Sequence, residues 1–296
     1  MGECNKETTF SILDHFYSSG GNFIDTANMY MAGESETWLG EWMELRKLRD
    51  EMVVATKYSI PLKGVEEQSK ILSNQGGNNK KSLRISLDGS LKRLRTDYVD
   101  ILYVHSWEGT TSIEELMRSL DDVVKAGKAL YLGISNTPAW FVVKANDFAR
   151  AYGLTPFVVY QGRWNAADRD IEREIVPMCR SEGMAITVWG AMGGGKFKST
   201  EQKGEVGRSA AVDDRSSSSV EIFQNVFKEL EKVGKRKNAS AMNVALRYVM
   251  LKVCKSLQIQ GGGPDKSSGP LRLPHLWRTE NRTFEKQHRC SFYRFI

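Results

Sequence analysis

Hydrophobic and polar positions follow a repeating order along the chain, in which short apolar runs alternate with longer amphipathic segments. The runs at residues 52–56 and 98–104 are almost continuously apolar, which is typical of parallel strands buried on both faces. In the segments between such runs, apolar side chains recur every three or four positions, and this spacing predicts helices. Strand and helix alternate at the spacing of a βα unit, so the pattern predicts an α/β fold with a parallel sheet.

The alternation extends over most of the chain. Residues 199–219 are polar and rich in glycine and serine, which predicts an exposed loop, and periodicity is lost beyond Met250 except for a short apolar stretch at 257–259. Strands are predicted to end at Asp25, Lys57, His105, Ser135, Gln161 and Trp189, and helices are predicted at residues 8–19, 34–46, 83–94, 112–126, 138–152, 171–182, 220–233 and 239–250.

Four residues with chemically active side chains stand at or just after successive strand ends, namely Asp25, Tyr30, Lys57 and His105. Each has an ordinary explanation when it is taken alone, such as a helix cap, a surface cation or a core histidine. The carboxyl ends of parallel strands meet at one edge of a sheet, so their joint placement indicates a site. A tyrosine with a pKa near 10 donates a proton poorly, but a neighbouring cation and a polarising imidazole favour proton donation to a carbonyl.

The composition and charge of the chain argue against several classes of function. The net charge is +6, and residues 264–296 alone hold seven Lys or Arg against three Asp or Glu, so the body of the protein is nearly neutral. A neutral body argues against nucleic-acid binding. The four cysteines form no CxxC pair and the four histidines form no metal-binding motif, which predicts neither disulfides nor a metal site. We see no signal peptide or apolar run of membrane-spanning length, and expect a cytoplasmic protein without a membrane partner.

A glycine-rich segment follows the strand that is predicted to end at Trp189. Residues 190–196 match the pattern G-x-x-x-x-G-K of a phosphate-binding loop, but the next residue is Phe197, where that motif needs Ser or Thr for magnesium. The mismatch disfavours a P-loop nucleoside triphosphatase. A glycine-rich loop after a strand still presents backbone amides to a phosphate, which suits a dinucleotide.

These residues resemble the motifs of a known family. The segments GGNFIDTANMY, VVATKYS, SLDGSLKRLRTDYVDILYVH, ALYLGISN, VVYQGRWN and WGAMGGGKF occur in the order found in the aldo-keto reductases. The similarity is greatest to the fungal aryl-alcohol dehydrogenase branch and its norsolorinic acid reductase-like proteins, which act in aflatoxin-type metabolism. The resemblance covers residues 2–250 and implies a (β/α)8 TIM barrel that reduces an aromatic ketone or aldehyde with NADP(H).

The resemblance also implies a role for each site residue. Tyr30 would be the proton donor, Lys57 and Asp25 would tune it, and His105 would orient the substrate. Ser106 stands where the branch usually has a tryptophan. The remaining implied positions contact the cofactor: Asp25, Ser135, Asn136, Gln161 and Trp189 near the nicotinamide, and Gly190, Ala191, Met192, Gly193, Gly194, Gly195, Lys196, Phe197 and Lys198 along the pyrophosphate.

Two departures from the family pattern suggest an incomplete barrel. The family's first strand has no counterpart before the helix at residues 8–19, and residues 257–263 retain only part of an eighth strand. We therefore expect a barrel domain at residues 1–253 and an atypical basic tail at 254–296, without identifiable ligands for the adenosine phosphate. The alternative function is a non-catalytic protein of the same fold that binds a partner or senses the cofactor.

The aperiodic tail leads to a hypothesis about the gene. We predict that residues beyond about Cys254 arise from a shifted reading frame or an unspliced intron, because a packed chain would place a strand, a turn and an amphipathic helix there. Translation of the coding DNA after Met250 in the other two frames checks this. The hypothesis requires one frame to encode an apolar strand, a Gly-Gly pair and then Lys or Arg with Asn at helical spacing.

Overall fold

Helices and parallel strands alternate along the chain, as the sequence pattern predicts. The computed structural model describes residues 4–62, 74–195, 197 and 217–258. The strands are β1 (Phe23–Asp25), β2 (Val53–Tyr58), β3 (Val99–Val104), β4 (Ala129–Ser135), β5 (Phe157–Arg163) and β6 (Ala185–Trp189). The helices are α1 (Lys6–Ser18), α2 (Glu34–Arg46), α3 (Lys80–Leu94), α4 (Ile113–Lys125), α5 (Ala139–Tyr152), α6 (Ile175–Glu182), α7 (Ser217–Lys237) and α8 (Ala241–Gln258).

The strands are hydrogen-bonded in their order along the chain, from β1 to β6. Such an order, with a helix between most consecutive strands, confirms the predicted fold class, an incomplete (β/α)8 barrel. Contacts between residues divide the chain into two compact units, one ending at Gln161 and one beginning at Gly162. Among the described residues, no helix combines the length and the apolar character needed to cross a bilayer.

The first unit contains α1 to α5 and the parallel sheet from β1 to β5. Asp25 is aligned with Ala55, and Lys57 is aligned with Tyr103, so the polar ends of β1, β2 and β3 come together at one edge of the sheet. Helix α3 covers the sheet with the predicted leucine stripe, and every member of the stripe is buried: Leu83, Leu87, Leu91 and Leu94.

The second unit contains α6 to α8 and β6. A hydrophobic cluster forms its core, and Phe197 packs there against Phe223 with ring centroids 5.3 Å apart. The other buried members of the cluster come from α7 and α8: Phe227, Leu230 and Ala245. The segment after β6 is therefore anchored by a phenylalanine.

Three predicted elements differ from the structure. The helix predicted at 171–182 is divided into a 3-10 turn at Asp170–Glu172 and the shorter helix α6. Pro177 explains the division, because a proline is accommodated in the first turn of a helix and not in its interior. Helix α7 begins at Ser217, inside the predicted loop, and α8 continues to Gln258, where part of an eighth strand was expected. Residues 259–296 of the predicted tail lie outside the described residues.

Helices α2 and α3 approach each other closely at a glycine. A Cβ atom on Gly40 of α2 would lie 2.3 Å from the carbonyl oxygen of Arg93 and 2.7 Å from the Cα of Leu94 on α3. Backbone atoms cannot yield as a flexible side chain does. We predict that Gly40→Ala destabilises the protein by about 1–3 kcal/mol, measured by urea unfolding.

Gly89→Ala on α3 is the matched control. Its Cβ would meet only the guanidinium end of Arg93, at 3.1 Å. Replacing a glycine inside a helix with alanine normally adds up to about 1 kcal/mol of stability. Equal stability of the two variants would contradict the proposed close contact at Gly40.

Candidate active site

A buried lysine lies at the centre of the residues that the sequence analysis singled out. Lys57 is the fifth residue of β2, one residue before the strand ends, and its side chain has no solvent exposure. Its Nζ donates to Asp25 Oδ2 at 2.6 Å and to the carbonyl oxygen of Thr26 at 2.8 Å. A buried ammonium requires such partners, because burying an unpaired charge costs several kcal/mol. Asp25 therefore holds Lys57 in place.

Tyr30 brings a phenol to the same lysine. Lys57 Nζ lies 3.4 Å from the Tyr30 hydroxyl oxygen and 4.9 Å from the centroid of its ring. Tyr30 begins a 3-10 turn after β1, and 37% of the residue is exposed to solvent. The phenol thus contacts a buried cation on one side and remains accessible to a small molecule on the other.

His105 directly follows β3, and its ring lies against that of Tyr30. The two rings are perpendicular, with centroids 5.9 Å apart. Burial of the imidazole, with a smaller contribution from the Lys57 cation, lowers the pKa of His105 from its ordinary 6.5 to about 4. The ring is therefore neutral at physiological pH, and it can polarise a carbonyl as a hydrogen-bond donor without carrying a charge.

The predicted nicotinamide-binding residues of the first unit occupy neighbouring strand ends. Ser135 ends β4, and Gln161 lies within β5, two residues before that strand ends. The two residues are aligned with each other in the sheet, and both are buried. The Ser135 hydroxyl has no hydrogen-bond partner among the described residues. Asn136 is exposed in the left-handed region, with φ of +48°, and its Nδ2 donates to the His105 carbonyl oxygen at 3.3 Å.

The predicted pyrophosphate loop belongs to the second unit. Gly190, Gly193 and Gly194 follow β6 and have positive φ values, which residues with side chains rarely adopt. The carbonyl oxygen of Gly190 accepts a hydrogen bond from Asn165 Nδ2 at 3.2 Å. Trp189 at the start of this loop lies near Arg163, whose guanidinium is 5.6 Å from the centroid of the indole.

The remaining residues of that predicted loop fall into two groups. The side chain of Phe197 is buried in the hydrophobic cluster with Phe223, so only its backbone remains for a cofactor. Lys196 and Lys198 lie outside the described residues. The structure describes the backbone of the five loop residues that follow Gly190, which are Ala191, Met192, Gly193, Gly194 and Gly195.

An aromatic cluster follows His105 in the first unit. Ser106 takes the place of the tryptophan that is usual in the resembling branch, but Trp107 comes next and stacks on Phe141 with centroids 4.3 Å apart. Trp140 meets Trp107 edge-on at 5.5 Å, and about half of its surface is exposed. Trp107 donates from Nε1 to the carbonyl oxygen of Thr111, so it fixes the loop that begins at His105.

Sequence reasoning missed a buried charge beside the lysine strand. The carboxylate of Glu36 on α2 is fully buried and accepts from the Thr56 hydroxyl at 2.5 Å and from Arg93 Nε at 2.7 Å. Thr56 is the neighbour of Lys57 on β2, so this cluster braces the strand that carries the lysine. Glu36 lies in the helix predicted at residues 34–46, and the spacing of the apolar residues in that helix gives no sign that a glutamate is buried there.

The chain is similar in sequence to a family of known proteins. The sequence profile of the Aldo/keto reductase family matches residues 1–265. The chain is 51% identical over 262 residues to a norsolorinic acid reductase from Aspergillus flavus, covering 88% of this chain and 66% of that protein. It is 53% identical over 266 residues to norsolorinic acid reductase B from Dothistroma septosporum, covering 88% and 66%.

A third relative carries a different name. An aryl-alcohol dehydrogenase from Pestalotiopsis microspora is 50% identical over 263 residues, which cover 88% of this chain and 67% of that protein. The chain thus spans slightly less than two thirds of the length of the norsolorinic acid reductases that it matches.

The lowered pKa of His105 predicts a pH dependence of stability. Its pKa in the folded protein, about 4, is below the ordinary value of 6.5, so the unfolded chain binds the extra proton between these values. Stability is therefore lost as the pH falls from about 6.5 to about 4. We expect the urea-unfolding free energy of the wild type to fall by about 1–2 kcal/mol more between pH 7 and pH 5 than that of His105→Asn.

His15→Asn is the control for this comparison, because His15 is exposed on α1. It should follow the wild type at both pH values. Parallel curves for the wild type and His105→Asn would show that the imidazole is not held neutral by burial.

Proposed function

The chain belongs to the aldo/keto reductase family, and from that premise we propose that it reduces an aromatic ketone or aldehyde to the alcohol with NADP(H). The buried Lys57 between Asp25 and the Tyr30 phenol carries the proposal, because it places a cation next to the phenol of the proposed proton donor. The relatives named as norsolorinic acid reductases and as an aryl-alcohol dehydrogenase support an aromatic carbonyl substrate.

In the proposed reaction, Tyr30 donates the proton. A carbonyl oxygen that gains negative charge must be protonated, and the phenol is the exposed acid of the cluster. The Lys57 ammonium, 3.4 Å from the phenol oxygen, stabilises the phenolate that remains after the transfer. Asp25 pairs with the ammonium of Lys57 and orients it. The proton then returns to the phenolate from solvent, to which Tyr30 is open.

His105 orients the substrate in this proposal. Its ring is neutral and faces Tyr30, so an N–H group can hold the carbonyl oxygen beside the phenol. A charged imidazolium would compete with Tyr30 as the proton donor. The low pKa of His105 prevents that competition at neutral pH.

The described residues fit a dinucleotide cofactor. The buried hydroxyl of Ser135 has no hydrogen-bond partner among the described residues, and Ser135 is aligned with Gln161 in the sheet. A carboxamide could form hydrogen bonds with both side chains. In the second unit, Gly190, Gly193 and Gly194 have no side chains, so their backbone N–H groups can be approached by a pyrophosphate. When bound, NADPH supplies the hydride to the carbonyl carbon. The chain's own residues supply the proton and fix the geometry.

Replacement of the phenol tests the proposal. Tyr30→Phe should lower kcat for an aryl aldehyde by at least 100-fold, because removal of a general acid typically costs that much. The Kd of NADPH, followed by quenching of tryptophan fluorescence, should change by less than about threefold, since the ring remains. Turnover is followed by NADPH oxidation at 340 nm, a standard assay wavelength.

Tyr152→Phe is the matched control, because Tyr152 is exposed on α5 and far along the chain from the cluster. It should leave kcat unchanged. Normal turnover by Tyr30→Phe would disprove the role of the phenol. Micromolar NADPH binding by the wild type without turnover of any carbonyl in a broad panel would favour the non-catalytic alternative.

A further inference from the structure

Ser59 has a backbone conformation that residues with side chains rarely adopt. It directly follows β2, two residues after Lys57, and its φ is +110°. Glycine adopts this region without strain, whereas serine does not. The residue is buried, with 7% of its surface exposed. Strain of this kind persists only where surrounding contacts enforce it, and it occurs most often at functional sites.

The Ser59 hydroxyl explains why glycine does not occupy the position. Its Oγ accepts a hydrogen bond from Asn78 Nδ2 at 2.7 Å and a second from the backbone N–H of His105 at 3.3 Å. The same N–H donates to the carbonyl oxygen of Tyr58 at 3.0 Å. The end of β2 therefore holds the backbone of His105 with two acceptors, and one of them exists only because residue 59 has a hydroxyl.

Asn78 extends this connection along the loop after His105. It is fully buried, and its Nδ2 also donates to the carbonyl oxygen of Ser106 at 3.1 Å. Its Oδ1 accepts from the backbone N–H of Glu108 at 3.0 Å. One amide side chain thus joins Ser59 to the backbone on both sides of Trp107.

The His105 ring depends on this backbone support. Its Nδ1 has no hydrogen-bond partner among the described residues, although the atom is buried. In many enzymes a carboxylate or carbonyl at this nitrogen fixes the ring. Here the orientation of the imidazole toward Tyr30 must come from packing and from the backbone that carries it.

We propose that Ser59 is a positioning residue for His105, whose hydroxyl, together with Asn78, fixes the His105 backbone so that the imidazole faces Tyr30. The proposal rests on the proposed reductase function for its kinetic consequence. Its structural consequence can be measured without turnover, because the position of the His105 ring determines how much of the ring is buried.

Two substitutions separate the hydroxyl from the backbone strain. Ser59→Ala removes the hydroxyl and keeps the strain, whereas Ser59→Gly removes both. We expect kcat to fall about 10- to 100-fold in both variants, because a displacement of about 1 Å has effects of this size. The Kd of NADPH should stay within threefold. Ser59→Gly should melt at the same temperature as Ser59→Ala or higher, so lost stability cannot explain the lost turnover.

Ser82→Ala is the matched control. Ser82 is a buried serine on α3 whose hydroxyl has no hydrogen-bond partner among the described residues, so the same chemical change removes none of the described hydrogen bonds there. Its kcat, its melting temperature and its Kd for NADPH should equal those of the wild type.

An NMR titration of the His105 ring supplies a readout without substrate. The titratable groups that face this ring are Lys57 on β2 and Tyr30 after β1, and burial is the main cause of its low pKa. Release of the ring into solvent should raise the pKa in Ser59→Ala by at least half a unit from the wild-type value near 4. The resonance is assigned by its loss in His105→Asn.

The outcomes are distinct. Wild-type kcat in Ser59→Ala, or an unchanged His105 pKa, overturns the proposal. Full turnover by Ser59→Gly also overturns it, because the hydroxyl would then be dispensable. A wild type without carbonyl turnover refutes the proposed function alone, and the titration still decides whether Ser59 positions the ring. If Ser59→Ala does not fold, Ser59→Gly carries both measurements.

Discussion

The buried ammonium of Lys57 is the constraint on which the arrangement of the first unit depends. With no exposure, its charge must be neutralised inside the protein, and Asp25 Oδ2 at 2.6 Å with the Thr26 carbonyl oxygen at 2.8 Å does so. These partners stand at the end of β1, so the pair is satisfied only when β1 and β2 keep the register that aligns Asp25 with Ala55. Loss of either charge would leave the other buried without a counter-ion, which typically costs 3–5 kcal/mol.

The opposite face of β2 carries a second buried charge. Side chains alternate across a strand, so Thr56 points away from Lys57 and donates to the fully buried Glu36, which Arg93 neutralises. Glu36 is near the start of α2, and that helix begins immediately after the turn that contains Tyr30. The two ion pairs therefore hold the strand with the lysine and the helix next to the phenol in a fixed relation.

The strands, most helices and the residues at the strand ends could be predicted from the sequence, because apolar periodicity and the polar residue after each run are local signals. Burial of Lys57 within β2 was not predictable in detail, since the strand was expected to end at this residue and it continues to Tyr58. Ser59 and Asn78 gave no signal at all. Asn78 stands in a Gly-Gly-Asn-Asn run that is typical of a turn, and the φ of a serine depends on contacts with residues distant in the sequence.

Some of the non-glycine residues with positive φ in the first unit lie beside the residues proposed for chemistry, whereas Lys47 and Arg95 end helices α2 and α3. Met31 and Ala32, with φ values of 50° and 52°, directly follow Tyr30, and Ser59 closely follows Lys57. A sequence selected for stability alone would place glycine or asparagine at such positions. Non-glycine residues with positive φ are expected where function determines the geometry of the backbone. The paired charges around Lys57 supply contacts that can hold such strained loops in place. The positive φ values at Met31, Ala32 and Ser59 thus occur next to the phenol, the buried cation and the imidazole on which the proposed function rests.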